Sequence, residues 1–136
     1  MRKDQVPVRP RPNVPDAEGP VPVTDQPAGT APPAFLTVLT TTDSAEKAEA
    51  LARGAIEARL AACAQVSAPV TSVYRWQDAV ETAQEWQVLL KTTGYRYQEL
   101  EEYLRGAHDY DTPEIIALPV VHGAADYLAW VQQETR

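Results

Sequence analysis

Nine of the twelve prolines stand before residue 34, and that distribution decides how much of the chain can fold. The stretch MRKDQVPVRPRPNVPDAEGPVPVTDQPAGTAPP carries neither the two-residue nor the 3.6-residue apolar period, and each proline removes a backbone donor. Such a segment cannot bury enough apolar surface to offset its ordering entropy. Residues 1–33 are therefore expected to be a disordered or polyproline-II leader. Residues 34–136 remain as one small domain.

The leader's charges cancel, Arg2, Lys3, Arg9 and Arg11 standing against Asp4, Asp16, Glu18 and Asp25. The net charge of −7 is thus carried by the domain. An acidic domain offers no electrostatic footprint for nucleic acid or an anionic membrane, although it accumulates cations weakly. No run approaches the ~20 apolar residues of a membrane span. The leader lacks the apolar core of a signal peptide, which makes the cytoplasm the expected compartment. Cys63, the one cysteine, excludes an intrachain disulfide and a CxxC zinc site.

Within the domain, AFLTVLTTT (34–42) is short, apolar and β-branched, and reads as a buried strand. Asp43 or Ser44 then offers an N-cap. The helix that follows is expected to run to about Ala62, with Ala48, Leu51, Ala52, Ala55, Ile56 and Leu60 on its apolar stripe. Gly54 inside it either permits a close backbone approach or is incidental. CAQVSAPVTSVYRW and ETAQEWQVLLKTT alternate around a break at Gln77–Asp78–Ala79, the pattern of a long antiparallel hairpin, with Pro69 marking a kink or an edge. A second helix is expected over 94–107, a strand over EIIALPVV, and a last amphipathic helix with Tyr127, Leu128 and Val131 inward. The order is α+β, a ferredoxin-like βαββαβ sandwich with an extra C-terminal helix. The hairpin outruns the other strands and carries Trp76 and Trp86. A projecting apolar edge calls for a covering chain, so a closed homo-oligomer is expected.

Several residues could carry chemistry. Cys63 is either a small buried hydrophobe or a soft-metal ligand or redox-sensitive thiol. His108, Asp109, Tyr110 and Asp111 form the richest polar cluster. His108 either caps the second helix or offers a nitrogen to a transition metal. Lys91 and Glu114 either pair structurally or hold a small polar ligand in a subunit cleft. His122, before Gly123, reads as a loop or cap residue. Catalysis is not expected: Ser–His or Cys–His pairings at telling spacing, a Gly-rich phosphate loop and HExxH are all missing from the sequence.

Taken in order, RLAACAQV, SVYRWQ, EWQVLLKTT, HDYDTPEIIALPV and GAADYLAWV resemble the CutA divalent-cation-tolerance family over residues 34–136. The resemblance implies a tight homotrimer with the architecture of the PII signalling proteins, and a link to tolerance of copper and other divalent cations. It implies no reaction. Family copper ligands, a cysteine ending the first strand and a His–His pair after the second helix, fall here on Thr40 and on Ala107–His108. One of the three ligand types is therefore present, and a hydroxyl is a poor substitute for a thiolate. Cys63, Tyr74, Trp76, Lys91, His108, Tyr110, Pro113 and Glu114 match the family pattern, and several are expected to line the cleft between subunits. The resulting expectation is a cytoplasmic, non-enzymatic homotrimer. Its candidate metal residues are His108 and Cys63, with copper or another divalent cation held weakly. Its candidate cleft residues are Lys91, Tyr110, Glu114 and Trp76. A PII-like sensor of a small anionic metabolite is the alternative. An RNA-recognition domain, a CxxC metallochaperone and an acylphosphatase-like enzyme fit less well, because the chain is acidic and TTTD stands where their motifs belong.

Overall fold

The computed structural model describes residues 34–136, and the leader expected over 1–33 lies outside them. The elements run β1 (Phe35–Thr42), α1 (Ala45–Glu57), β2 (Cys63–Val66), β3 (Val70–Trp76), β4 (Ala79–Thr93), α2 (Tyr97–Ala107), β5 (Ile115–Pro119) and α3 (Ala125–Glu134). Four of the strands form an antiparallel sheet in the order β2-β4-β1-β5, and β3 pairs with β4 alone. This is the ferredoxin-like arrangement, with α3 added.

α1 begins where Ser44, in extended backbone, accepts the Lys47 N–H on its side chain at 3.1 Å. It ends at Glu57, about a turn earlier than its apolar stripe suggests. Arg59 takes a left-handed φ of 59°. The Leu60 N–H then returns to the Ala55 carbonyl and the Arg59 N–H to that of Ile56, which is a Schellman termination. Glycine is the usual signal for that turn, and arginine conceals it.

The expected single strand from Cys63 to Trp76 is broken in two. Between the pairs Val66–Val88 and Val70–Glu85 the first chain advances four residues while β4 advances three. The extra residue is a bulge, set at Ser67–Ala68–Pro69. Ser67 secures it by accepting the Gln87 N–H on Oγ at 2.9 Å. The second helix starts at Tyr97 rather than at 94, and the last strand occupies Ile115–Pro119 rather than 114–121. On α3, Val131 is buried as expected, but Tyr127 is 43% exposed and leans on Trp130 instead of the core.

Both α1 and α2 cover one face of the sheet. Leu36, Val38, Val88 and Leu90 meet Ala48, Leu51, Ala52 and Ala55 of α1 and Leu100 and Leu104 of α2. Gly54 is a true close approach, since a Cβ there would lie 2.0 Å from the Tyr103 hydroxyl, which donates to the Leu51 carbonyl at 3.0 Å. The opposite face carries Leu39 and Leu89 with Ile116 and Leu118, the last two 46% and 53% exposed. Beyond Trp86, β4 leaves β1 and continues with β3 as a two-stranded ribbon to the turn at Gln77–Asp78.

Candidate functional site

The C-terminal end of β1 is the most polar part of the interior. Thr40, Thr41 and Thr42 are all buried, and none of their hydroxyls has a hydrogen-bond partner. By strand alternation Thr40 and Thr42 share the helix-covered face with Val38. His108, at the end of α2, clamps the helix to this strand. Its backbone N–H donates to Leu104, its Nε2 lies 2.7 Å from the Thr41 carbonyl, and its Nδ1 lies 3.0 Å from the Tyr110 N–H. A carbonyl can only accept and an N–H can only donate, so the ring is the Nε2–H tautomer with both nitrogens engaged. Asp109 Oδ1 lies 3.7 Å from Nδ1, too far for a hydrogen bond.

Beside this clamp, the Lys47 ammonium joins two carboxylates, Asp43 Oδ1 at 2.8 Å and Asp109 Oδ2 at 2.5 Å. Lys47 stands in the first turn of α1, where the helix dipole disfavours a cation by about 0.3–1 kcal/mol. Hydrogen bonds to charged groups are worth about 1.5–3 kcal/mol each, so the two carboxylates prevail. They also raise the lysine above its ordinary 10.5, Asp109 contributing most and Asp43 next. Each acid keeps a second oxygen, Asp43 Oδ2 and Asp109 Oδ1, that is buried without a partner. A cavity of about 250 Å³ opens here, lined by Thr42, Lys47, Leu51, Tyr103, His108 and Asp109. The sequence offered Asp43 or Ser44 as the helix cap, and Ser44 takes that role; it passed over Lys47, for which the i,i+4 Asp–Lys spacing was the available signal.

The anticipated site residues are spread through the chain. Tyr110 donates its hydroxyl to Glu85 Oε2 at 3.1 Å, both side chains buried. Lys91 donates to Gln65 Oε1 at 3.0 Å on the open face of the sheet. Cys63 pairs across from Lys91 and stands beside Tyr127, whose hydroxyl is pushed above its ordinary value by burial first and by Cys63 next. Glu114 is half-buried just before β5. Trp76 closes the hairpin opposite Ala79, twelve residues along β4 from Lys91 and so ~40 Å away at ~3.4 Å per residue. His122 is exposed in the loop before α3.

His108 and Cys63 are not brought together. His108 rests on Thr41, whereas Cys63 lies level with Thr37, four residues or ~13 Å along β1. Among the described residues no three His, Cys, Asp or Glu side chains gather around one point. The resemblance-derived copper positions fare similarly within one chain. Thr40 offers a buried hydroxyl, Ala107 offers nothing, and His108 would have to release Thr41 or Tyr110. These residues do not fit a soft-metal centre.

With this geometry in place, a family model described as CutA1 divalent ion tolerance protein matches residues 36–134. The chain belongs to the CutA1 divalent ion tolerance family. It is 42% identical over 98 residues to the divalent-cation tolerance protein CutA of Thermus thermophilus, covering 72% of this chain and 95% of that protein. The solved structure of the Thermus thermophilus CutA1 superposes with a TM-score of 0.73 at 40% identity, over 75% of this chain and 99% of the other. A structure titled the periplasmic divalent cation tolerance protein CutA of Archaeoglobus fulgidus gives a TM-score of 0.73 at 29% identity, over 75% and 99%. The CutA1 match covers nearly all the described residues and none of the leader. It associates the chain with tolerance of divalent cations; none of these names specifies a reaction.

Proposed function

We propose that this chain acts in divalent-cation tolerance as a non-enzymatic homotrimer of the cytoplasm, with its ligand clefts formed between copies. The observation that carries this reading is the β3–β4 ribbon. Among the described residues no further strand pairs along its outer edges, and Val73 and Val80 on it are 64% and 65% exposed. A two-stranded ribbon is marginal in water, and unpaired apolar edges invite another chain. Ile116 and Leu118 on the open face of the sheet add apolar surface for the same purpose. Cyclic closure would bring Trp76 at one end of one ribbon toward groups such as Lys91 of a neighbour, which lie far apart within a chain. Sedimentation equilibrium at micromolar concentration tests this: a three-chain mass is expected, and a monomer overturns it.

A PII-like reading, in which a small anionic metabolite binds between subunits, is favoured by one feature. Lys91 is half-buried on the open face and donates to an amide, Gln65. Titration calorimetry with Cu(II), Zn(II) and nucleotides separates the two readings. Copper binding unchanged by His108→Ala removes His108 from any metal role.

A further inference from the structure

Where the leader enters the domain there is a cavity of about 380 Å³, inside the ~300–1,000 Å³ range of ordinary ligand pockets. Ala34, the first described residue, stands on its wall beside Phe35, Arg96, Gln132 and Arg136. The turn from β4 into α2 is closed by the Arg96 N–H on the Thr93 carbonyl at 3.1 Å. It sets Tyr95 on the rim of the cavity, 96% exposed. Arg96 is held in place: its Nε donates to the Thr135 carbonyl at 2.7 Å and its Nη1 to Glu99 at 3.1 Å. Among the described residues the charged side chains on the wall, Arg96 and Arg136, are both basic, in a chain of net charge −7.

We propose that residues 20–25 of the leader, Pro-Val-Pro-Val-Thr-Asp, occupy this cavity, with Val21, Pro22 and Val23 against Phe35 and the Tyr95 ring and Asp25 toward the two arginines. Val-Pro-Val occurs twice in the leader, and charge selects between the copies. Val6, Pro7 and Val8 run into Arg9, which Arg96 and Arg136 repel; Val21, Pro22 and Val23 run into Thr24 and Asp25, which they attract. Reach is sufficient. Residues 26–33 separate Asp25 from Ala34, more than the two to six of the commonest connections, and Gly29 among them can take the positive φ that a reversal needs. So short a tether holds the segment at an effective concentration on the order of millimolar, which populates a contact too weak to form between separate molecules. Each proline already fixes φ, so the segment gives up little backbone entropy on docking, and aromatic-lined grooves commonly receive such segments. This end of the domain is thereby closed by its own leader, and any other ligand there has to displace it. The seat does not rest on the trimer.

Amide resonances of the isotope-labelled full chain test the proposal. Val21→Ser combined with Val23→Ser should shift the amides of Phe35, Tyr95, Arg96 and Thr135, whereas Val6→Ser combined with Val8→Ser should leave them in place. Asp25→Lys should give a smaller shift in the same direction. Reciprocally, Tyr95→Ala should move the Val21 and Val23 amides to random-coil positions, and it leaves the core intact because the ring is exposed. No shift from the Val21 and Val23 changes or from Asp25→Lys overturns the seat, as does an equal shift from the Val6 and Val8 changes. Val21 and Val23 amides already at random-coil positions in the wild type overturn it too. Ten-fold dilution should leave the resonances unchanged; their loss on dilution makes the contact intermolecular and overturns the tethered seat.

Discussion

The two halves of β4 share one strand and one alternation, yet they live in different surroundings. From Trp86 to Thr93 the strand lies between β1 and β2 under two helices, and Val88, Leu90 and Thr92 have no exposure. From Ala79 to Gln84 it pairs, among the described residues, only with β3, and Val80 is 65% exposed. Backbone pairing is local and forms in both halves. Burial needs a third element, which one half has inside the chain and the other lacks. Hydrogen-bonded pairing alone therefore does not make a stable sheet; cover does.

Four substitutions probe that contrast. Leu90→Ala should lower stability by about 3–4 kcal/mol in chemical denaturation, because the cavity it opens is sealed by α1 and α2. Val80→Ala, by contrast, should lose less than about 1 kcal/mol and act on assembly; equal losses would erase the distinction between the halves. On the covered side, Gly54→Ala should net a loss of about 1–2 kcal/mol, the clash with Tyr103 outweighing a helix-propensity gain of about 1 kcal/mol. A rise in thermal stability would show that Tyr103 moves aside freely. At the uncovered tip, Gln77 and Asp78 both hold positive φ, 47° and 65°, without the glycine such a turn favours. Asp78→Gly should gain about 0.5–1 kcal/mol, and no gain would mean that the ribbon end contributes nothing to the measured stability.

The sequence made the strands and helices legible wherever their signals were periodic. The alternation through Val70–Trp76 and Trp86–Lys91 and the stripe of α1 correspond to elements in the structure. Boundaries failed where the expected residue was replaced. Arg59 turns the end of α1 in a conformation that glycine would have announced, so the helix read about a turn too long. The bulge at Ser67–Pro69 was visible only as a proline of uncertain meaning. At the candidate site, Asp109 and His108 stood out as a polar cluster, but their roles did not. Both ring nitrogens of His108 are engaged by backbone groups, one of them the Thr41 carbonyl on a distant strand, and no local pattern encodes that.

By itself the sequence determined the order of the elements, and the resemblance of its segments, taken in order, named the family. The first rests on periodicity and spacing, which are properties of neighbours along the chain. Tertiary structure alone decided which polar groups meet. Lys47 reaches Asp109 across 62 residues, and Tyr110 reaches Glu85 across 25. Such meetings depend on how helices settle on a sheet, and packing is fixed by apolar contacts that carry no information about the charges they bring together. The unsatisfied oxygens at the end of β1 are therefore a property of the fold.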